Sequence, residues 1–118
     1  MSRAAVSIAV YGWYFIAIGL AMAIVPNALL ALLRVTPTHE PWIRILGVVV
    51  AILGIYYLLA ARQEVTAFFR WTTVGRTVVL PAFIALVLFA GAPPVVILFG
   101  AIDAAGAAWT AMALRRGE

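Results

Sequence analysis

The chain has no cysteine and no lysine, one histidine (His39), two serines (Ser2 and Ser7) and one aspartate (Asp103) among its 118 residues. Each scarcity removes a class of chemistry. Without cysteine there is no disulfide, no thiolate metal site, no Cys-x-x-Cys redox pair and no cysteine nucleophile. A single histidine with Glu40 beside it provides no His/Asp/Glu cluster around which a metal site could be assembled, so neither a metal nor a cofactor is expected. His39 and Glu40 read as a solvated loop. Neither serine lies in a nucleophile elbow, there is no glycine-rich phosphate loop, and Asp103 has no matching carboxylate for paired acid–base work. Charge of either sign is scarce as well, at 10% of residues, too little to give a soluble domain a polar surface.

Apolar residues take up the difference. They make up 67% of the sequence, and the mean hydropathy of +1.16 points to a bilayer as the solvent. The net charge of +4 is the balance of eight arginines, set between or at the ends of apolar runs, against four carboxylates. That placement indicates lipid headgroups as partners and excludes a nucleic-acid surface. Arginine without lysine, together with heavy use of Ala, Val and Gly, is the composition of a bacterial protein from a GC-rich genome.

Hydropathy patterning predicts an all-α, polytopic membrane protein, a four-transmembrane-helix bundle forming one domain over residues 1–118. The spans cover residues 4–25, 42–60, 72–90 and 95–114, each near the roughly 20 residues that cross a hydrocarbon core. Pro26 and Asn27 end the first span. Residues 28–33 are apolar but too short to cross, and read as a short interfacial or re-entrant helix with Asn27 as its N-cap. Residues 34–41 form the first loop, and Trp42 suits the aromatic belt at the start of the second span. Residues 61–71 mix Arg62, Gln63, Glu64, Phe68, Phe69 and Arg70, as expected of a loop or an extension of the helices at the headgroups. Pro81 falls inside the third span, where a membrane helix tolerates a kink. Gly91, Ala92, Pro93 and Pro94 then turn the chain.

Arginine distribution predicts orientation, because cytoplasmic segments carry the basic excess. Arg3, Arg62, Arg70, Arg115 and Arg116 fall on one side with Arg76 just inside it, and Arg34 and Arg44 fall on the other. Both termini are therefore expected in the cytoplasm, with the protein in the inner membrane. The competing reading is a cleaved signal peptide ending at the small-x-small tripeptide Ala21-Met22-Ala23. The apolar run is long for that purpose and unusually aromatic.

Asp103 lies near the middle of the fourth span, where a carboxylate facing lipid costs a few kcal/mol or more. It is therefore expected to face the bundle interior and find a partner, or to be protonated. Arg44 and Arg76 are the two candidates. Tyr11, Tyr14, Tyr56, Tyr57, Thr77 and Thr110 fall in the same half of their spans as Arg76, which favours an Asp103–Arg76 pair backed by tyrosine hydroxyls. Phe99, Gly100, Gly106, Ala107 and Thr110 share the helix face of Asp103. The bland alternative is an ion pair that only sets helix register, with tyrosines as interfacial anchors. Likewise Gly100, Ala104 and Ala108, and Gly47 with Gly54, read first as close helix packing.

Gly19 to Leu30 contains Gly-x6-Pro-Asn-x-Leu-Leu, Trp42 to Gly47 reads Trp-x-Arg-x-Leu-Gly, Gly75-Arg76 lies in the third span and an aspartate in the fourth. In this order of features the chain resembles the small bacterial four-helix membrane proteins of DoxX-like type. The resemblance implies a four-helix bundle with Arg44, Arg76 and Asp103 as its polar core, and it implies no particular reaction. Some members of that group are thought to accompany redox enzymes at the quinone pool. Length and span count are also similar to those of the small multidrug-resistance exporters, but the first span here lacks their membrane-embedded glutamate.

Three functions remain open on the sequence. The first is a bundle that binds a hydrophobic or amphiphilic small molecule, such as a lipid, quinone or isoprenoid, or serves as a membrane subunit of a larger complex. The second is a proton-coupled transporter using Asp103. The third is a membrane-embedded enzyme acting on a lipophilic substrate. A homo-oligomer or a partner membrane protein is expected, because four spans bury little surface in one protomer.

Overall fold

The computed structural model describes residues 1–117. All of its regular structure is helical: α1 (Arg3–Ile24), α2 (Pro26–Leu32), α3 (Trp42–Arg62), α4 (Thr66–Ala90) and α5 (Val95–Arg115). All except α2 are long and apolar enough to cross a membrane, so the chain has the make-up of a multi-pass integral membrane protein. At 25 residues α4 extends about 37 Å. That exceeds the roughly 30 Å hydrocarbon core, so it tilts or carries its first turn into the headgroups.

The helix ends follow from local chemistry. Ser2 caps α1, its Oγ accepting the Ala5 N–H at 3.0 Å, and Pro26, which has no N–H to continue the ladder, separates α1 from α2. Asn27 is not the N-cap of α2. Val25 holds that position without a side-chain bond and Pro26 is the first helical residue, a place where the missing N–H costs nothing. Asn27 Oδ1 instead accepts the Thr38 backbone N–H at 2.9 Å, pinning the following loop.

Each of α2, α3 and α4 is followed within two residues by one in the left-handed region: Arg34 (φ 58°), Glu64 (φ 51°) and Gly91 (φ 72°). Behind these residues Val35 N–H reaches Leu30 O at 2.8 Å, Val65 N–H reaches Ala60 O at 3.0 Å, and Ala92 N–H reaches Leu86 O at 3.1 Å. These bonds occupy carbonyls that the helix ends would leave open. The connection between α3 and α4 is thus only residues 63–65, and Phe68, Phe69 and Arg70 belong to α4. Of the two readings of residues 61–71, the helical extension is the one adopted.

The chain forms two compact units, Met1–Ile8 with Ala60–Glu118, and Ala9–Leu59. In the second unit α1 and α3 pack antiparallel along a glycine seam. A Cβ built on Gly12 would stand 2.9 Å from Gly54 O, and one on Gly47 would meet Gly19 O at 2.5 Å and Ala23 N at 2.6 Å. Seven residues separate the glycines on each helix, two turns, so they recur on one face and bring the backbones together twice. The Gly47 and Gly54 stripe is therefore a packing surface, and its partner is Gly12 and Gly19.

In the first unit α4 packs on α5. Arg76 meets Thr110, while Leu80 and Phe83 lie against Gly100, where an added Cβ would be 3.0 Å from Leu80 Cα. As α4 advances α5 recedes, so the two run antiparallel and the first turns of α4 lie beside the last turns of α5. Phe69 and Arg76 are the buried residues of α4, whereas α5 buries Gly100, Gly106, Ala107, Thr110 and Ala113 along one stripe.

Candidate polar site on helices α4 and α5

The stripe on α5 sets the position of every polar group on that helix. Residues 100, 103, 106, 107, 110 and 113 fall at three- and four-residue offsets, so Asp103 and Thr110 share one face two turns, or about 10 Å, apart. Small residues between them let α4 come close, and Arg76 enters from α4. Its side chain is buried, at 3% exposure. Nη2 donates to Thr110 Oγ1 at 2.9 Å and to Thr72 Oγ1 at 3.3 Å, and Nε donates to the Thr72 carbonyl at 3.3 Å.

Thr110 is fully buried and so is Ser7. Their hydroxyl oxygens are 2.6 Å apart, Ser7 Oγ is 2.6 Å from the Ala4 carbonyl, and Thr110 Oγ1 is 3.1 Å from the Gly106 carbonyl. A guanidinium only donates and a carbonyl only accepts. The chain therefore runs from Arg76 into Thr110 and out through a hydroxyl proton to Ser7 or Gly106, ending on backbone carbonyls. This junction ties the start of α1 to α4 and α5. A guanidinium at the centre of a span costs about 2.5–3.5 kcal/mol, and interhelical hydrogen bonds of about 0.6–2 kcal/mol each offset part of that.

Asp103 is half-buried. Its Oδ1 is enclosed and has no hydrogen-bond partner among the described residues. Arg76 attracts the carboxylate electrostatically, but the guanidinium bonds described above go to threonines. Thr72, Thr73 and Thr77 return their hydroxyl protons to carbonyls of α4, at 2.9 Å (Phe69), 2.9 Å (Phe69) and 2.7 Å (Thr73). In lipid this internal bonding is how a threonine hydroxyl avoids being stranded.

The other residues expected in the polar core lie in the Ala9–Leu59 unit and have roles there. Arg44 Nη1 donates to the Ala23 carbonyl at 2.7 Å and the Ile24 carbonyl at 3.3 Å. It thereby supplies the C-terminus of α1 with the cation its own last turn lacks, where the helix dipole favours positive charge. Tyr11, Tyr14, Phe15 and Tyr57 form an aromatic cluster, with edge contacts at 5.8 Å (Tyr11–Tyr14), 5.9 Å (Tyr11–Phe15) and 5.1 Å (Phe15–Tyr57). Tyr56, by contrast, is 58% exposed, as one residue's step around a helix requires when its neighbour Tyr57 is buried.

Two members of the polar junction, Ser7 and Thr72, carry no functional signal in the charge pattern. The signal that could find them is a hydroxyl inside an apolar span, since Ser and Thr there hydrogen-bond across helices. Among the described residues no group of three or more His, Asp or Glu side chains is placed to hold a metal. No family model, curated protein or solved structure matches the chain.

Proposed function

We propose that this integral membrane protein binds the polar head of a hydrophobic or amphiphilic small molecule, a lipid, quinone or isoprenoid, at the Asp103–Arg76 region of α4 and α5. It does so alone or as the membrane subunit of a larger complex. The observation that carries this reading is the enclosed Asp103 Oδ1 without a hydrogen-bond partner, on the same helix face as the Arg76–Thr110 junction. A carboxylate oxygen in that state in a low-dielectric medium costs several kcal/mol, and a head group carrying a hydroxyl or other donor would relieve it. Arg76 and Asp103 offset each other's charge, so an uncharged head suits the region better than an ion. Small residues at Gly100, Gly106 and Ala107 keep this face of α5 shallow.

In the same reading the protein sits in a bacterial inner membrane with both termini cytoplasmic, following its arginine distribution. The test is thermal unfolding in detergent before and after exhaustive delipidation, with host lipid extract added back. Wild type should lose stability on delipidation and recover it on add-back, and Asp103→Asn should respond to both steps by a clearly smaller amount. Equal responses of the two proteins would count against binding at this carboxylate.

A further inference from the structure

We propose that the end of the molecule where α4 begins and α5 finishes is a docking surface for anionic phospholipid headgroups. The antiparallel packing of α4 on α5 sets the exposed Arg70 near the exposed Arg115 and Arg116. Arg62, also exposed, ends α3, with only three residues between it and the start of α4. This grouping does not depend on flexible chain. Ser2 N–H donates to the Glu64 carboxylate at 3.1 and 3.2 Å and Ser2 Oγ donates to Oε2 at 3.2 Å, which fixes the α3–α4 turn against the start of α1. The Ser7–Thr110 and Arg76–Thr110 bonds fix the start of α1 and α4 to α5.

Charge complementarity identifies the occupant. With Arg3, five arginines fall in these segments of the sequence against Glu64 and Glu118. The Glu64 carboxylate, held by Ser2, keeps its charge, and the arginines of these segments still outnumber the carboxylates by five to two. Guanidinium groups match phosphate geometry with paired N–H donors. Trp71, beside Arg70, is 70% exposed, and Trp109, six residues before Arg115, is 41% exposed. Tryptophan side chains at this level sit at the boundary of headgroup and acyl chain. A basic surface bordered by such tryptophans fits a phospholipid anchored in the bilayer, and each arginine near an anionic surface raises binding about fivefold.

Native mass spectrometry of the full chain released from nanodiscs tests this, using equal amounts of phosphatidylglycerol and phosphatidylcholine with matched acyl chains. Wild type should retain phosphatidylglycerol at least tenfold over phosphatidylcholine. The Arg70→Gln, Arg116→Gln double variant should lose most of that preference, and Arg70→Lys, Arg116→Lys should keep much of it. Circular dichroism confirms that each variant is folded. Equal retention of the two lipids by wild type, or an unchanged preference in the glutamine variant, overturns the proposal. The site tested is distinct from the Asp103 region, so this result and the delipidation result stand or fall separately.

Discussion

Arg76 Nη2 donates to Thr110 Oγ1 at 2.9 Å, joining the buried guanidinium of α4 to a hydroxyl that itself touches Ser7 of α1. Three helices meet through that one oxygen. Thr110→Val keeps the shape and removes the acceptor, so it should destabilise the protein by about 1–3 kcal/mol, the range for a buried polar group that loses its partner. Thr110→Ser should cost well under half of that. Denaturant titration in mixed micelles measures both. A double-mutant cycle between Ser7→Ala and Thr110→Val should give a coupling of about 0.5–2 kcal/mol.

The glycines separate into those whose missing side chain is occupied by a neighbour and those facing open space. At Gly47 an added Cβ would lie 2.5 Å from Gly19 O, whereas at Gly75 it would meet nothing within 4 Å. Gly47→Ala should therefore push α1 and α3 apart and cost about 1–3 kcal/mol or more. Gly75→Ala should be neutral or stabilising by up to about 1 kcal/mol through helix propensity. Thermal midpoints of the two variants decide this, and similar destabilisation of both would contradict the seam.

Glu64 lies outside the spans, and hydrogen bonds from the Ser2 hydroxyl and then the Ser2 amide hold its carboxyl below the ordinary carboxylate range. A group whose folded pKa is depressed contributes stability above its unfolded pKa and loses that contribution as pH falls through the folded value. The Ser2–Glu64 contact should thus be intact at neutral pH and released only in acid, below the usual range for a glutamate. Amide exchange of the first turn of α1, corrected for intrinsic rates, should show protection at pH 7 that declines in acid. Glu64→Gln should show weak protection at both.

The absence of cysteine from the chain makes single-cysteine labelling a clean test of orientation. Gln63→Cys and Gly117→Cys should react with an impermeant maleimide only from the cytoplasmic face. Thr38→Cys and Ala92→Cys should react only from the opposite one. Labelling of Gln63→Cys and Ala92→Cys from the same face would contradict a spanning α4.

Hydropathy patterning locates the spans because, in a chain this poor in charge, uninterrupted apolar runs near 20 residues match the thickness of a bilayer and could not be kept from water in so small a soluble domain. Their ends are less legible. Phe68, Phe69 and Arg70 lower the local hydropathy without interrupting the helix, so hydropathy alone places the start of α4 six residues late. Asn27 has the right chemistry for a cap, but Pro26 already occupies the first helical position, and the Asn27 amide serves Thr38 instead. In the candidate site, the buried stripe carrying Asp103 and Thr110 follows from helical period. The partners of Arg76 do not, because a tally of charged residues directs attention to Asp103 and overlooks Ser7 and Thr72. Half of the glycine seam is visible in sequence as Gly47 and Gly54. The other half, Gly12 and Gly19, acquires meaning only when α1 is laid antiparallel on α3.

The most direct test of ligand binding at Asp103 is native mass spectrometry of gently solubilised wild type beside Asp103→Asn, with circular dichroism as the control for folding. The expected result is a defined lipophilic adduct on wild type that is absent from a folded Asp103→Asn. No adduct on wild type beyond those that Asp103→Asn also carries would contradict binding there and leave Asp103 as part of the architecture alone.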